Sequence, residues 1–260
     1  MTDALMSRLE FAKALAQEAA ALAVKLRDER DADFISEKGR QDFVTLADRA
    51  VERLIRTRIA ETYPEDAMLG EEDGVTGEGE GLWVVDPIDG TANYMRGLSD
   101  WGVCIAYCHG DKILCGVVCA PDLNMHVWAA QGSGAWMNGA PIGVSDCSQP
   151  DRALLLLGWS NRRPLSDHLA IIGRVLEGGL EYRRNGSAAI SLLAVATGRA
   201  EGYFEQHLNA WDAFAAMVII AEAGGIVRAA PTAEFVTSGS SILASAPGLI
   251  QAFEAITAET

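Results

Sequence analysis

Positive charge is scarce in this chain. Its 21 lysines and arginines face 36 aspartates and glutamates, for a formal net charge of −15. So acidic a surface repels nucleic acid and anionic membrane, which argues against broad electrostatic binding to either. A small anionic substrate would be repelled too, unless cations stood in its site; solubility alone would also explain the balance. Cysteine is sparse and odd in number: Cys104, Cys108, Cys115, Cys119 and Cys147, with no CxxC pair. The first four would need tighter loop spacing to make a structural zinc site, so buried small apolar side chains are the better account. Free thiols point to a reducing compartment. Histidine is equally thin. His109, His126, His168 and His207 lie in turn, strand or surface contexts with no paired serine or cysteine, so no nucleophile constellation is visible. No charge-free apolar run reaches transmembrane length. Asp3, Arg8, Glu10, Lys13 and Glu18 interrupt the first twenty residues, which excludes a secretory signal there. A soluble, cytoplasmic protein is expected, without internal repeats or low-complexity segments.

What is present is an ordinary globular composition. The 260 residues are 49% hydrophobic and 22% charged, enough for one large domain or two closely packed ones. Leu5, Leu9, Ala12, Ala16, Ala19, Leu22, Ala23 and Leu26 recur at spacings of three and four, the stripe of an amphipathic helix. Asp28 to Gln41 is charged, carries Gly39, and reads as a mobile loop. A second helix follows, with Leu46, Ala50, Val51, Leu54 and Ile55 on its buried side, ending near Tyr63-Pro64. Residues 101–107, 113–119 and 125–130 read as strands. Asn138-Gly139 predicts a tight hairpin joining 135–137 to 142–144. The character changes around Ser148 to Asp151, which divides the chain into domains at 1–147 and 148–260. Beyond that point strands at 153–157, 181–184, 202–205 and 242–244 alternate with helices at 166–176, 187–196 and 212–223, and a last helix starts at Leu249. The predicted class is mixed α+β and α/β.

The most informative stretch is Asp86-Pro87-Ile88-Asp89-Gly90-Thr91, entered through Leu82-Trp83-Val84-Val85. It reads as a buried strand that breaks at a proline-stiffened turn. Such a turn aims two carboxylates and the N–H groups after them into one space, which suits divalent cations together with a phosphate. An aspartate before a turn can also simply bind its own backbone. Delivery by a buried strand weighs against that, because an uncompensated buried carboxylate is costly. Gly70-Glu71-Glu72-Asp73 and Trp211-Asp212 are further acidic stations. Taken alone, the first is an exposed charge run and Asp212 is a helix N-cap. Taken together, separated acids at element ends are what a multi-metal phosphoryl-transfer centre needs. Thr45-Leu46-Ala47-Asp48 has the spacing of a capping box. Asp48 either only caps its helix or points into a cleft and orients a hydroxyl or water; the residues leave both open.

Gly70-Glu71-Glu72, the run from Trp83 to Thr91, and Trp211-Asp212 with Glu222-Ala223-Gly224-Gly225 resemble, in this order and spacing, the motifs of the inositol monophosphatase family. Asp42-Phe43-Val44-Thr45 followed by Asp48 resembles the family's lead-in to its second helix. The resemblance runs from about Lys38 to the final helix. It implies a layered α-β-α-β-α sandwich of the sugar-phosphatase type, usually a homodimer. It also implies a lithium-sensitive phosphomonoesterase that uses two or three Mg²⁺ ions on a small-molecule phosphate ester. By that resemblance Glu71, Asp86 and the Ile88 carbonyl would hold one ion, Asp86, Asp89 and Asp212 a second, and Glu71 would touch a third. Gly90 and Thr91 would offer N–H groups to the phosphate. Thr91, held by Asp48, would orient the attacking water, with Glu71 in the same catalytic set and no covalent phosphoenzyme. Lys38 would be a mobile-loop lysine near the metals, or else a solvated surface lysine. Asp89, Gly186, Ser187, Ala188 and Glu205 match polyol-binding positions, while Arg184 and Asn185 fall where members vary. Inositol 1-phosphate or a related polyol phosphate is the expected substrate. Histidinol phosphate, a sugar bisphosphate, or a regulatory role on a protein partner are the alternatives.

Overall fold

The computed structural model describes residues 2–29, 35–39 and 42–258, with backbone alone for 35–39 and 42–44. Helix α1 (Asp3–Asp28) is capped by Thr2, whose hydroxyl accepts the Leu5 N–H. β1 (Ile35–Gly39) pairs antiparallel with β2 (Asp42–Thr45), where the charge pattern predicts only loop. Helix α2 (Leu46–Thr62) follows directly. Its buried face differs from the predicted one: Ala47, Asp48, Val51, Glu52, Ile55 and Ile59 face inward, while Leu46 is 54% exposed. Two of those inward residues are acids, which a search for an apolar stripe discards.

The larger sheet holds β3 (Ala67–Gly70), β4 (Gly74–Thr76), β5 (Gly81–Asp89), β6 (Gly102–His109), β7 (Lys112–Ala120), β8 (Met125–Ala130), β9 (Ala135–Met137) and β10 (Ala140–Pro141). Its order is β10-β9-β8-β7-β6-β5-β3-β4, and β3 with β5 is its parallel pair. Asn138 and Gly139 both have positive φ, 53° and 84°, as the tight turn requires. The return strand is Ala140–Pro141, shorter and earlier than predicted. The smaller sheet holds β11 (Leu154–Leu157), β12 (Glu181–Arg183), β13 (Gly202–Leu208), β14 (Ile226–Arg228) and β15 (Ser240–Ser245), in the order β12-β11-β13-β15-β14. The remaining helices are α3 (Thr91–Arg96), α4 (Leu165–Glu177), α5 (Ala188–Ala196), α6 (Ala210–Glu222), α7 (Thr232–Ser238) and α8 (Ile250–Thr257).

These elements stack in five layers. α1 and α2 cover one face of the larger sheet, α5 and α6 lie between the sheets, and α4 and α8 cover the outer face of the smaller one. The core divides into three apolar clusters: one between the larger sheet and α1 and α2, one around α5 and α6 that reaches both sheets, and one between the smaller sheet and α4 and α8. Because α5 and α6 contact protein on both sides, they are apolar nearly all round rather than striped. Alternation along β6 shows the sorting: Val103, Ile105 and Tyr107 face α1 and α2, whereas Cys104, Ala106 and Cys108 face α6. Cys115 and Cys119 belong to the first face. The four strand cysteines therefore point to opposite sides of one sheet and cannot share an ion. Burial pushes the Cys108 and Cys115 thiols up to about 12 and Cys119 up to about 11, so all three remain neutral. Among the described residues no helix is long and apolar enough to cross a membrane.

Candidate active site

The site begins where β5 outruns its neighbour. Pairing of β3 with β5 stops at Gly70 opposite Val85, so residues 86–89 have no strand on that side. Pro87 is tolerated there because no ladder bond is owed by its missing N–H. On the other side the register to β6 shifts between Asp86, opposite Cys104, and Asp89, opposite Gly102. The strand thus does not break at Asp86, as the sequence suggests; it bulges, with three steps along β5 against two along β6. The bulge lets Asp86 and Asp89 project towards one place. Both are buried, at 1% and 6% exposure. Asp86 Oδ1 accepts the Ile88 N–H at 2.9 Å.

Asp212 arrives from a different layer. The N-cap of α6 is Asn209, not Asp212; Asp212 is the third helical residue and its Oδ2 accepts the Asn209 N–H at 2.8 Å. Carboxylate oxygens of Asp86, Asp89 and Asp212 lie within 4.8 Å of one another. Among the described residues none of the three forms a salt bridge. Burial and the charges of Glu71, Asp89, Asp212 and Asp48 drive the Asp86 carboxyl well above its ordinary range. Burial and then Asp89 push Asp212 up to about 7. Asp89 is raised by burial to about 6, held back by hydrogen bonds from the Ser187 hydroxyl and from the N–H groups of Ala189 (3.0 Å) and Ala188 (3.3 Å). Those donors form the start of α5, where the helix dipole favours an anion. Ser187 and Ala188, expected to meet a polyol, are here engaged with Asp89.

Glu71 stands outside this tight triad, just after β3, close enough for its charge to act on Asp86. Its turn is held by a residue that the sequence reading missed. Glu52, on α2, is fully buried. Its carboxylate accepts the N–H groups of Glu72 (2.8 Å) and Asp73 (3.0 Å) and pairs with Arg56 at 2.6 Å. Arg56 in turn donates to the Gly74 carbonyl at 2.7 Å. Gly70 leaves room for this clamp, since a Cβ there would lie 2.5 Å from the Glu52 carboxylate. The available signal was Val51-Glu52 on the apolar side of α2, an acid where a core residue belongs.

Asp48 caps its helix and also reaches Thr91. Its Oδ2 accepts from the Thr45 N–H (2.8 Å) and the Thr45 hydroxyl (2.5 Å), completing the capping box. Its Oδ1 lies 3.1 Å from Thr91 Oγ1. Burial raises the Asp48 carboxyl to about 6 against the pull of the Thr45 hydrogen bonds. Thr91 Oγ1 is also 3.0 Å from the Ile88 carbonyl oxygen. Gly90, at φ 85°, caps α3, and a Cβ there would meet the Asp100 carbonyl oxygen at 2.8 Å. The Gly90 and Thr91 N–H groups precede the first bonds of that helix. The side chain of Lys38 lies outside the described residues.

A cavity of about 170 Å³ opens beside the triad, lined by Asp89, Asp212, Ser187, Glu205, Arg184 and Trp159 among others, with Gly186 and Ala188 on its wall. Glu205 is buried and accepts the Tyr203 hydroxyl. Burial raises its carboxyl to about 8, Asp212 and Asp89 push the same way, and the Tyr203 hydrogen bond and the Arg184 charge oppose them. Gly158 was not foreseen: a Cβ there would fall inside contact distance of Glu205 Oε2.

This combination of layers, bulge and buried acids has counterparts. The profile of the inositol monophosphatase family matches residues 5–258. The chain belongs to the inositol monophosphatase family. It is 35% identical over 223 residues to a Haemophilus influenzae protein named Nus factor SuhB, covering 84% of each chain. It is 36% identical over 195 residues to an Aquifex aeolicus protein named fructose-1,6-bisphosphatase/inositol-1-monophosphatase, covering 74% of each. Its fold superposes on the crystal structure of the extragenic suppressor protein suhB from Bartonella henselae with a TM-score of 0.90 at 28% identity, over 97% of this chain and 99% of that one. The layered sandwich is therefore the family fold, and a family of phosphatases is the setting in which the acids are to be understood.

Proposed function

We propose that this family member hydrolyses small phosphate monoesters with Mg²⁺, inositol 1-phosphate or a related polyol phosphate being the leading substrate, in a cytoplasmic homodimer. The observation that carries the reading is the buried triad of Asp86, Asp89 and Asp212, which forms no salt bridge among the described residues. Like charges so close and so dry are unfavourable unless protons or cations neutralise them. The donors are all carboxylate or carbonyl oxygen, which fits a hard divalent cation and not a thiophilic one. Asp86, Asp89, Asp212, Glu71 and the Ile88 carbonyl would hold the ions. When bound, Mg²⁺ would neutralise the acids, attract the ester phosphate and make a nearby water more acidic.

The chain's own residues supply the rest. Thr91 can give its single hydroxyl proton to Asp48 Oδ1, leaving its oxygen to accept a proton from the attacking water. Asp48 is mainly ionised above about pH 6 and so can act as the acceptor. The Gly90 and Thr91 N–H groups would bind phosphate oxygens at the start of α3. Glu205 would meet substrate hydroxyls. Phosphate release from inositol, histidinol, sugar and nucleotide phosphates, with Mg²⁺, with chelator and with Li⁺, tests the proposal. Mg²⁺-dependent, Li⁺-inhibited release is expected; activity that survives chelation would refute it. The SuhB relative's name favours a second reading, a regulatory protein contact independent of turnover. In that case Asp89→Asn would abolish hydrolysis and leave the contact intact.

A further inference from the structure

Beside the acids, one buried amide joins two separate segments of the site. Asn93 lies on α3 and is 8% exposed. Both of its amide protons are spent on backbone. Nδ2 lies 2.7 Å from the Asp100 carbonyl oxygen and 2.9 Å from the Asn185 carbonyl oxygen. Two acceptors around one nitrogen fix which way the amide faces, because turning it over would set its own oxygen against both carbonyls.

The two acceptors come from distant parts of the chain. Asp100 belongs to the loop after α3, and its carbonyl oxygen is the atom that a Cβ on Gly90 would strike. Asn185 lies in the turn between β12 and α5. That turn is fitted closely to Asn93: Gly186 has φ 83°, and a Cβ on it would lie 3.2 Å from both Nδ2 and Oδ1 of Asn93. A Cβ on Gly90 would also come within 3.0 Å of the Ser187 Cβ, so the two segments are in contact there. The turn borders the cavity through Arg184, Gly186 and Ser187, and it leads into the Ala188 and Ala189 N–H groups that hold Asp89.

We propose that Asn93 is a positioning residue. Its two N–H bonds set the distance between the Gly90 and Thr91 N–H groups, where phosphate would bind, and the 184–187 turn, where the alcohol part of the ester would rest. This rests on the phosphatase reading above and adds a residue to it. An ester that spans both places needs that spacing. Inorganic phosphate, which has no alcohol part, does not.

Asn93→Ala removes the amide, and Asn93→Leu removes it while keeping its bulk. At saturating Mg²⁺ each variant should raise KM for inositol 1-phosphate about tenfold, the worth of a lost buried hydrogen bond, with kcat and the Ki of inorganic phosphate changed less than about twofold. Equal rises in KM and Ki would place Asn93 in phosphate binding itself, and no change in either would confine it to packing; both results overturn the proposal. Hydrogen exchange needs no turnover. The Ala188 and Ala189 amides should exchange about tenfold faster in both variants while β13 keeps its protection. Wild-type protection of those amides overturns the proposal whatever the kinetics. If the wild type hydrolyses no ester tested, the phosphatase reading fails, and exchange alone decides whether Asn93 holds the turn.

Discussion

The crowded carboxylates should make the metal-free protein lose stability as pH rises, and Mg²⁺ should reverse the loss. Asp48 and Asp89 are raised from 3.8 to about 6, and Asp212 from 3.8 to about 7. Each folded pKa exceeds its unfolded value, so between the two the folded state binds more protons than the unfolded one. Stability then falls as pH climbs through that window and levels off above about 7. Between pH 5 and 7.5 each of these groups forfeits on the order of 1–3 kcal/mol. Because the acids repel one another, ~4 kcal/mol together is a reasonable total, or roughly 8–16 °C in Tm for a chain of this size. Bound cations favour the ionised acids, so stabilisation by Mg²⁺ should grow across the same window. Scanning calorimetry at pH 5 and 7.5, in chelator and in Mg²⁺, measures both trends. Asp86→Asn is the control. An asparagine Oδ1 can still accept the Ile88 N–H, but it neither carries a charge nor takes up a proton. In chelator at pH 7.5 that variant should melt several degrees above the wild type and respond little to Mg²⁺. A chelated wild type whose Tm is flat or rising over this range, or an Asp86→Asn protein less stable than the wild type there, would refute the account of the triad.

Asp48→Asn keeps an acceptor for the Thr45 N–H but loses the base, so turnover should fall about 10²–10³-fold while Mg²⁺ affinity changes only a few-fold. A loss confined to thermal stability would leave Asp48 as a helix cap alone. Glu52→Gln weakens the clamp on the Glu71 turn; the Mg²⁺ concentration needed for half-maximal activity should rise roughly tenfold with kcat at saturating Mg²⁺ largely kept. An unchanged Mg²⁺ titration would confine Glu52 to packing. Gly158→Ala drives a methyl into Glu205, which should cost about 1–3 kcal/mol of stability and raise KM, as read by melting and substrate titration.

Much of the layout was legible because periodicity survives burial. The α1 stripe, the strands at 113–119 and 125–130, and the Asn-Gly hairpin each follow from local rules. The misreading of α2 comes from assuming that acids sit outside. The inward face of α2 carries Asp48 and Glu52, so an apolar stripe placed it wrongly and put Leu46 inside. Asp86 and Asp89 looked like the end of a strand because proline and charge are strand breakers, yet the backbone continues as a bulge with no neighbour on one side. Asp212, taken alone, reads as a cap because the predicted helix starts there, while Asn209 takes that position. The Glu52 clamp and the Gly158 notch depend on contacts between segments far apart in sequence, and no local pattern encodes such contacts.

The position of the site follows from the layering. Asp86 and Asp89 lie where β5 passes the end of β3, Glu71 follows that end of β3, Asp48 comes from the outer helix layer, and Asp212 from the layer between the sheets. Neighbouring elements could have covered these acids with basic side chains. Instead the start of α5 supplies neutral donors to Asp89, and the one basic side chain in the clamp, Arg56, is spent on Glu52. Removing one acid would relieve the repulsion among the others, so the metal-free fold should gain stability without its full set. Buried repulsion of this kind is what a bound cation would relieve, and the packing of both sheets around the triad sets where such a cation would sit.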